Sequence, residues 1–167
     1  RIAGAAAPLS GTRLGNAGNN SGITFGAPKT VYWSWPYSAN FYDPVWATSS
    51  GGAYSINNFP LAQDSIVIDD AGLGSNGSIV FSSSAVWSVG SYSQSTRTLP
   101  IVLYAANSCF NFSDVTLSSS TYAASWSPYF RGSGTQNFTS ANTFISSFIV
   151  YCAGTVNMLD NFNGSPS

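Results

Sequence analysis

Ser65-Ile66-Val67-Ile68-Asp69, Ser78-Ile79-Val80-Phe81 and Trp87-Ser88-Val89 are three short runs of β-branched and aromatic residues separated by Asp, Gly, Ser and Asn. Runs this short, bounded by turn formers, predict strands rather than helices. The texture continues through Ile101 to Tyr104, Phe110 to Phe112, Val115 to Leu117, Tyr129 to Arg131, Gln136 to Phe138, Thr143 to Phe144, Phe148 to Tyr151 and Thr155 to Leu159. No window holds a sustained helical period, Glu is absent, and Lys and Met each occur once. With so few helix formers, the chain is predicted to be all-β.

The strands fall into groups. Ile66, Ile79 and Trp87 open one; Ile101, Phe110 and Val115 a second; Tyr129, Gln136 and Thr143 a third; Ile149 a fourth. Each group has the size of one coil of a parallel β-helix, the predicted architecture, and the spacing between groups shortens along the chain. A jelly-roll or β-sandwich is the alternative that short strands and frequent turns also satisfy.

Two segments precede these groups. Residues 1–29 are rich in Gly, Ala, Asn and Ser, with Pro8 and Pro28, and carry few large side chains. Such a stretch buries too little surface to fold alone and is expected to be an extended arm or linker, ordered only by docking. Residues 30–167 are expected to form a single β-rich domain. Within it, Thr30-Val31-Tyr32-Trp33-Ser34-Trp35 alternates as a strand until Pro36, and the aromatic, turn-rich Tyr37 to Pro60 completes a cap over one end of the core;. Residues 61–167 hold the repeated short strands.

The chain has 167 residues, one domain by size;. Only 7% are charged, against roughly a quarter in ordinary globular domains, while 44% are apolar and 15% aromatic;. Polarity comes instead from 30 Ser, 12 Thr and 14 Asn. The absence of His and Glu removes Ser-His-Asp and Cys-His catalysis, His-ligated metal sites and Glu general acids;. Arg1, Arg13, Lys29, Arg97 and Arg131 are scattered singly, and the net charge is −1, so a nucleic acid is not an expected partner;. No apolar run reaches the ~18 residues that span a bilayer, and Ile2 to Leu9 is too short and too poor in large apolar residues for a signal-peptide core;. A chain that opens on Arg1 is expected to be a processed or partial product. Cys109 and Cys152 allow one bridge at most, and free thiols are expected;.

Trp33, Trp35, Tyr37, Phe41, Tyr42 and Trp46 crowd one short stretch beside amides and hydroxyls. Of these, Trp33, Trp35, Tyr37, Tyr42 and Trp46 are candidates for stacking on sugar rings. The competing expectation is that the same rings fill the end of the hydrophobic core. All acids are Asp: Asp43, Asp64, Asp69, Asp70, Asp114 and Asp160. Only Asp69-Asp70 is a tight pair, but neighbours on a strand point to opposite faces, and the others sit at strand ends, Asp43 before Pro44 and Asp160 before Asn161, where Asp caps turns;. No catalytic residue is therefore assigned. Asp64, Asp69 and Asp70 with Asn57 and Asn58 offer oxygen ligands for Ca²⁺, without the spacing of a known loop, so neither metal nor cofactor is expected. Five Asn-x-Ser/Thr sequons, at Asn19, Asn76, Asn111, Asn137 and Asn163, are expected to be turn residues;. Arg97 and Arg131 each suit a subunit contact or a solvated edge charge.

Two blocks carry a resemblance. The first runs from Thr30-Val31-Tyr32-Trp33 through Trp46-Ala47-Thr48-Ser49-Ser50-Gly51-Gly52 and Asn58-Phe59-Pro60-Leu61-Ala62-Gln63-Asp64 to Ile66-Val67-Ile68-Asp69. The second joins Phe130-Arg131-Gly132-Ser133-Gly134-Thr135-Gln136-Asn137-Phe138 to Gly154-Thr155-Val156-Asn157-Met158-Leu159-Asp160. With Asn19 to Phe25 and Ala27-Pro28-Lys29, they resemble large tail-fibre-like or structural virion proteins of environmental tailed bacteriophages, which carry β-helical repeats. The resemblance implies a virion-surface location and no catalysis. The expected function is a structural subunit of a virion appendage or surface decoration, assembled as a homotrimer with other virion proteins and touching host surface polysaccharide through the cap. The alternative is a secreted bacterial surface adhesin or filament subunit, which a Cys109–Cys152 disulfide or occupied sequons would favour.

Overall fold

A computed structural model describes residues 9–10, 13–18, 20–75, 77–81, 87–105, 109–111, 113–118, 121–123, 128–131, 134–139, 149–150 and 153–159. Its strands are β1 (Leu9–Ser10), β2 (Ile23–Thr24), β3 (Thr30–Trp33), β4 (Ala39–Asn40), β5 (Trp46–Ala47), β6 (Ser65–Val67), β7 (Gly77–Phe81), β8 (Trp87–Val89) and β9 (Ser91–Ser93). They continue as β10 (Ile101–Ala105), β11 (Cys109–Asn111), β12 (Val115–Thr116), β13 (Thr121–Ala123), β14 (Pro128–Phe130), β15 (Thr135–Thr139), β16 (Ile149–Val150) and β17 (Thr155–Met158). The one helical element among these residues is a 3₁₀ turn, Ile56–Asn58, capped by the Ser55 hydroxyl. The chain is all-β.

Three larger sheets carry the fold. One has seven strands in the order β17-β15-β12-β9-β6-β3-β5, a second has β13-β10-β7-β4, and a third has β16-β14-β11-β8. A two-stranded pair, β1-β2, stands apart. From β6 to β15 the chain visits the three sheets in rotation, so each strand pairs with the one laid down a lap earlier. Parallel strands need a long connection between partners, and the excursion through the other two sheets supplies it. Residues facing one another in the seven-stranded sheet lie 26 positions apart at Ser65 and Ser91, 23 at Asp114 and Asn137, and 20 at Asn137 and Asn157. The laps shorten along the chain, as the grouping of strands predicts. Antiparallel pairing, on which a jelly-roll or sandwich depends, occurs among the described strands only between β3 and β5;.

Side-chain alternation places the core. Val31, Ile66, Tyr92, Val115 and Phe138 are successive register partners across the seven-stranded sheet, and all are buried. Thr30, Tyr32, Ser65, Val67, Ser91 and Ser93 alternate with them and face outward, which is the period-2 rule of a half-buried strand;. Ile79 and Leu103 in the second sheet, and Val89 and Phe130 in the third, join the same cluster. Full burial of each such side chain stabilises by roughly 1.5–3 kcal/mol.

The aromatic stretch closes over β3. Trp33 and Trp46 are register partners of the antiparallel β3–β5 pair, with ring centroids 5.5 Å apart in edge-to-face geometry, and Phe41 meets Trp46 at 5.1 Å. Both indole N–H groups donate to backbone carbonyls, Trp33 to Trp35 and Trp46 to Phe41. The described part of residues 13–29 docks on the chain's own 56–64 segment. Arg13 donates to the Ile56 carbonyl, the Asn16 amide to the Gln63 side chain, and the Lys29 amide to Asp64.

Six strands escaped the sequence pattern: β1, β2, β4 and β5, of two residues each within the expected arm and cap, and β9, Ser91-Tyr92-Ser93, and β13, Thr121-Tyr122-Ala123. The last two are three residues long, and β9 has one apolar side chain, too little for a period to register. The expected strand at Thr143–Phe144 lies outside the described residues, as do Asp160 and Cys152.

Candidate ligand-contacting surface

The five rings nominated for sugar stacking separate into two populations. Trp33 and Trp46 are 0% exposed, so neither indole face is open to a sugar. Their nomination is corrected by the fold: alternation turns Trp33 inward, and antiparallel pairing with β5 brings Trp46 beside it. Trp35, Tyr37 and Tyr42 remain near the surface. The Trp35 indole is half-buried, with Tyr37 at 5.9 Å and Tyr54 at 5.4 Å, both nearly perpendicular to it. Tyr37 is 68% exposed and Tyr54 49%. Tyr42 is also exposed and lies stacked on Trp87 at 6.1 Å. Tyr54 was not nominated, although its setting, Gly51-Gly52-Ala53-Tyr54-Ser55, is a signal: a ring in a Gly- and Ser-rich turn has little core to enter.

The carboxylates are occupied by backbone. Asp43 accepts from the Asn40 amide, Asp64 from Lys29 and Leu61, Asp69 from Gly72, Asp70 from Thr98 and Leu99, and Asp114 from Asn137. These are all the aspartates among the described residues, and each fixes a turn or a lap-to-lap contact. Asp69 and Asp70 lie past the end of β6 rather than on a strand, so alternation does not separate them: Asp69 closes its own loop, Asp70 reaches the loop after β9, and both border the same groove. Burial pushes the Asp70 carboxyl up, but the Thr98 hydroxyl, the Leu99 and Thr98 amides and the Arg97 guanidinium together outweigh it and hold the group below its ordinary value. No three His, Cys, Asp or Glu side chains converge as a metal-ligand set among the described residues.

Arg97 is neither a subunit anchor nor a solvated edge charge. Its side chain is fully buried and donates to four backbone carbonyls, those of Asp69, Leu73, Gly74 and Pro100, with Asp70 at 3.5 Å as counter-ion. Burial lowers its pKa, with the Asp70, Tyr92 and Asp69 charges acting in the opposite direction. The planar fork thus ties the loop after β6 to the loop after β9.

That tie shapes a groove on the outward face of the seven-stranded sheet. Its floor is the register row Tyr32, Val67 and Ser93, from β3, β6 and β9. Its walls are the loops that follow β5, β6 and β9, contributing Ser50, Asp69 to Ala71, and Ser95 and Thr96. The cavity measures about 540 Å³.

Neighbouring laps are also joined by uncharged ladders. Ser91 Oγ donates to Ser65 Oγ at 2.8 Å, and Asn157 donates to Asn137, which itself donates to Asp114. Inside, the buried Gln94 donates to the Tyr92 hydroxyl and accepts from the Ser118 amide and the Thr121 hydroxyl. Of the sequon asparagines, Asn137 is thereby engaged within the sheet; the side chains of Asn19, Asn76, Asn111 and Asn163, and any Cys109–Cys152 contact, lie outside what the structure describes. No helix among the described residues is long and apolar enough to cross a membrane. Neither a protein-family model, nor a curated protein, nor a solved structure matches this chain.

Proposed function

We propose that the chain is a parallel β-helix whose three sheets form its faces, and that it serves as a passive structural subunit of a bacteriophage virion appendage or surface decoration. The observation that carries this is the joining of successive laps by Ser, Asn and Gln hydrogen bonds while every described carboxylate is bound to backbone amides. Such side chains stabilise a rod without charge. The resemblance of the Thr30 to Asp69 and Phe130 to Asp160 blocks to tail-fibre-like virion proteins supplies the location. Low charge leaves little repulsion between copies packed side by side, which supports homotrimeric assembly. The exposed rings of Tyr37, Tyr42 and Tyr54, with the half-buried Trp35 beside them, are the part of the cap proposed to touch host surface glycan.

Immunogold electron microscopy of intact particles and of host cells tests the location. Label on fibres or heads is expected. Label on cells or cell-bound filaments, with none on virions, overturns it in favour of a secreted adhesin or filament subunit.

A further inference from the structure

We infer that the groove floored by Tyr32, Val67 and Ser93 is a binding site for a neutral oligosaccharide. The site does not depend on the virion location, and it is separate from the Trp35, Tyr37 and Tyr54 rings, none of which lines it. Its volume of about 540 Å³ falls within the usual size of ligand sites;. Tyr32 and Val67 give the floor an apolar strip, suited to the C–H face of a sugar ring. Ser50, Ser95 and Thr96 are exposed on the rim, and Ser93 is half-exposed. Their hydroxyls both donate and accept, as a polyol requires.

Charge decides the ligand class. No Lys or Arg among the described residues lines the groove, and the guanidinium behind it is turned to backbone carbonyls. Two aspartates do line it, and the Asp70 side chain is 31% exposed. A phosphate, sulfate or uronate would find no accessible cation among the described lining residues to replace its hydration;. A cationic ligand is disfavoured differently: Arg97 lies 3.5 Å from Asp70 and already neutralises it. What remains is an acceptor for sugar hydroxyls beside an uncharged, hydroxyl-rich rim. Loop closure is not needed, because Asp70 and Arg97 already hold the walls.

The test is amide chemical-shift titration of the whole chain with neutral glucose, mannose and galactose oligosaccharides, beside polygalacturonate and chitosan oligomers. Neutral oligosaccharides are expected to shift the amides of Val67, Ser93, Ser95 and Thr96. Tyr32→Ala is expected to weaken binding about tenfold, and Tyr32→Phe to retain it, because stacking needs the ring and not the hydroxyl. Should Tyr32→Ala unfold the chain, Thr96→Arg serves instead: its side chain starts from an exposed position, lies across the groove toward Asp70, and is expected to abolish the shifts. Absence of shifts with every neutral oligosaccharide at millimolar concentration overturns the inference. So does tighter binding of polygalacturonate or chitosan, or a response confined to Trp35, Tyr37 and Tyr54.

Discussion

Arg97 shows how a single charge holds this fold. A buried guanidinium is costly in isolation, yet here four carbonyls and Asp70 surround it;. Arg97→Ala leaves those carbonyls without their donor and is expected to destabilise by about 3–5 kcal/mol, read as a fall in the urea midpoint. Arg97→Lys keeps the charge without the planar fork, so it should recover part of that loss and not all of it. Asp70 makes the same junction sensitive to acid. Its folded-state pKa lies below the ordinary 3.8, so its stabilisation is complete above that value and is lost as pH falls through the lower, folded one;. Thermal melts between pH 5 and pH 2 are expected to show a smaller acid-induced drop for Asp70→Asn than for the parent; equal drops would discard the linkage. The turn-capping role of Asp43 was legible, because Asp before Pro has a local use;. The role of Arg97 was not, since its nearest-sequence partner apart from Pro100 lies 23 residues away and is backbone, which leaves no pattern in the chain.

At the level of the strand, one residue in two carries the stability. Ile66 is wholly buried and sits between Val31 and Tyr92 in the inward row, while its neighbour Val67 is half-exposed on the groove floor. Ile66→Ala is expected to cost about 2–5 kcal/mol and Val67→Ala less than half of that, measured by denaturant unfolding. Comparable losses at the two positions would mean that the inward row is misassigned. Register at this junction is reinforced by Gly72, where a Cβ would collide with the Trp33 carbonyl, so the loop after β6 can press directly on β3. Strands with two or more large apolar residues, such as β7 and β10, were readable because their composition alone excludes a loop. β9 was not: Ser91 and Ser93 face outward and Tyr92 alone enters the core, so its strand character comes from pairing with β6 and β12. The candidate sugar surface failed to separate for a related reason. Alternation puts Trp33 and Trp35 on one face and Tyr32 on the other, but β3 ends at Trp33, so Trp35 leaves the inward row, and only the β3–β5 pairing shows that Trp46 shares the inward face;.

For the whole molecule, the surface is still less charged than the composition implies. Arg97 is buried, and Lys29 lies 4.0 Å from the buried Asp64. In the proposed trimer, contacts between copies would rest on hydroxyls, amides and apolar side chains, and among the described residues Val150, Met158 and Leu159 are exposed at the last strands. Electrostatic association weakens as salt shortens the screening length, whereas apolar association does not. Light scattering of the purified chain at micromolar concentration is accordingly expected to report three copies at both 50 mM and 1 M NaCl. A one-copy mass at both would remove the trimer for the isolated chain. Dissociation at high salt alone would place the contact on the few charges that remain exposed, Arg13 and Arg131 among them, and would contradict the low-repulsion basis for lateral packing.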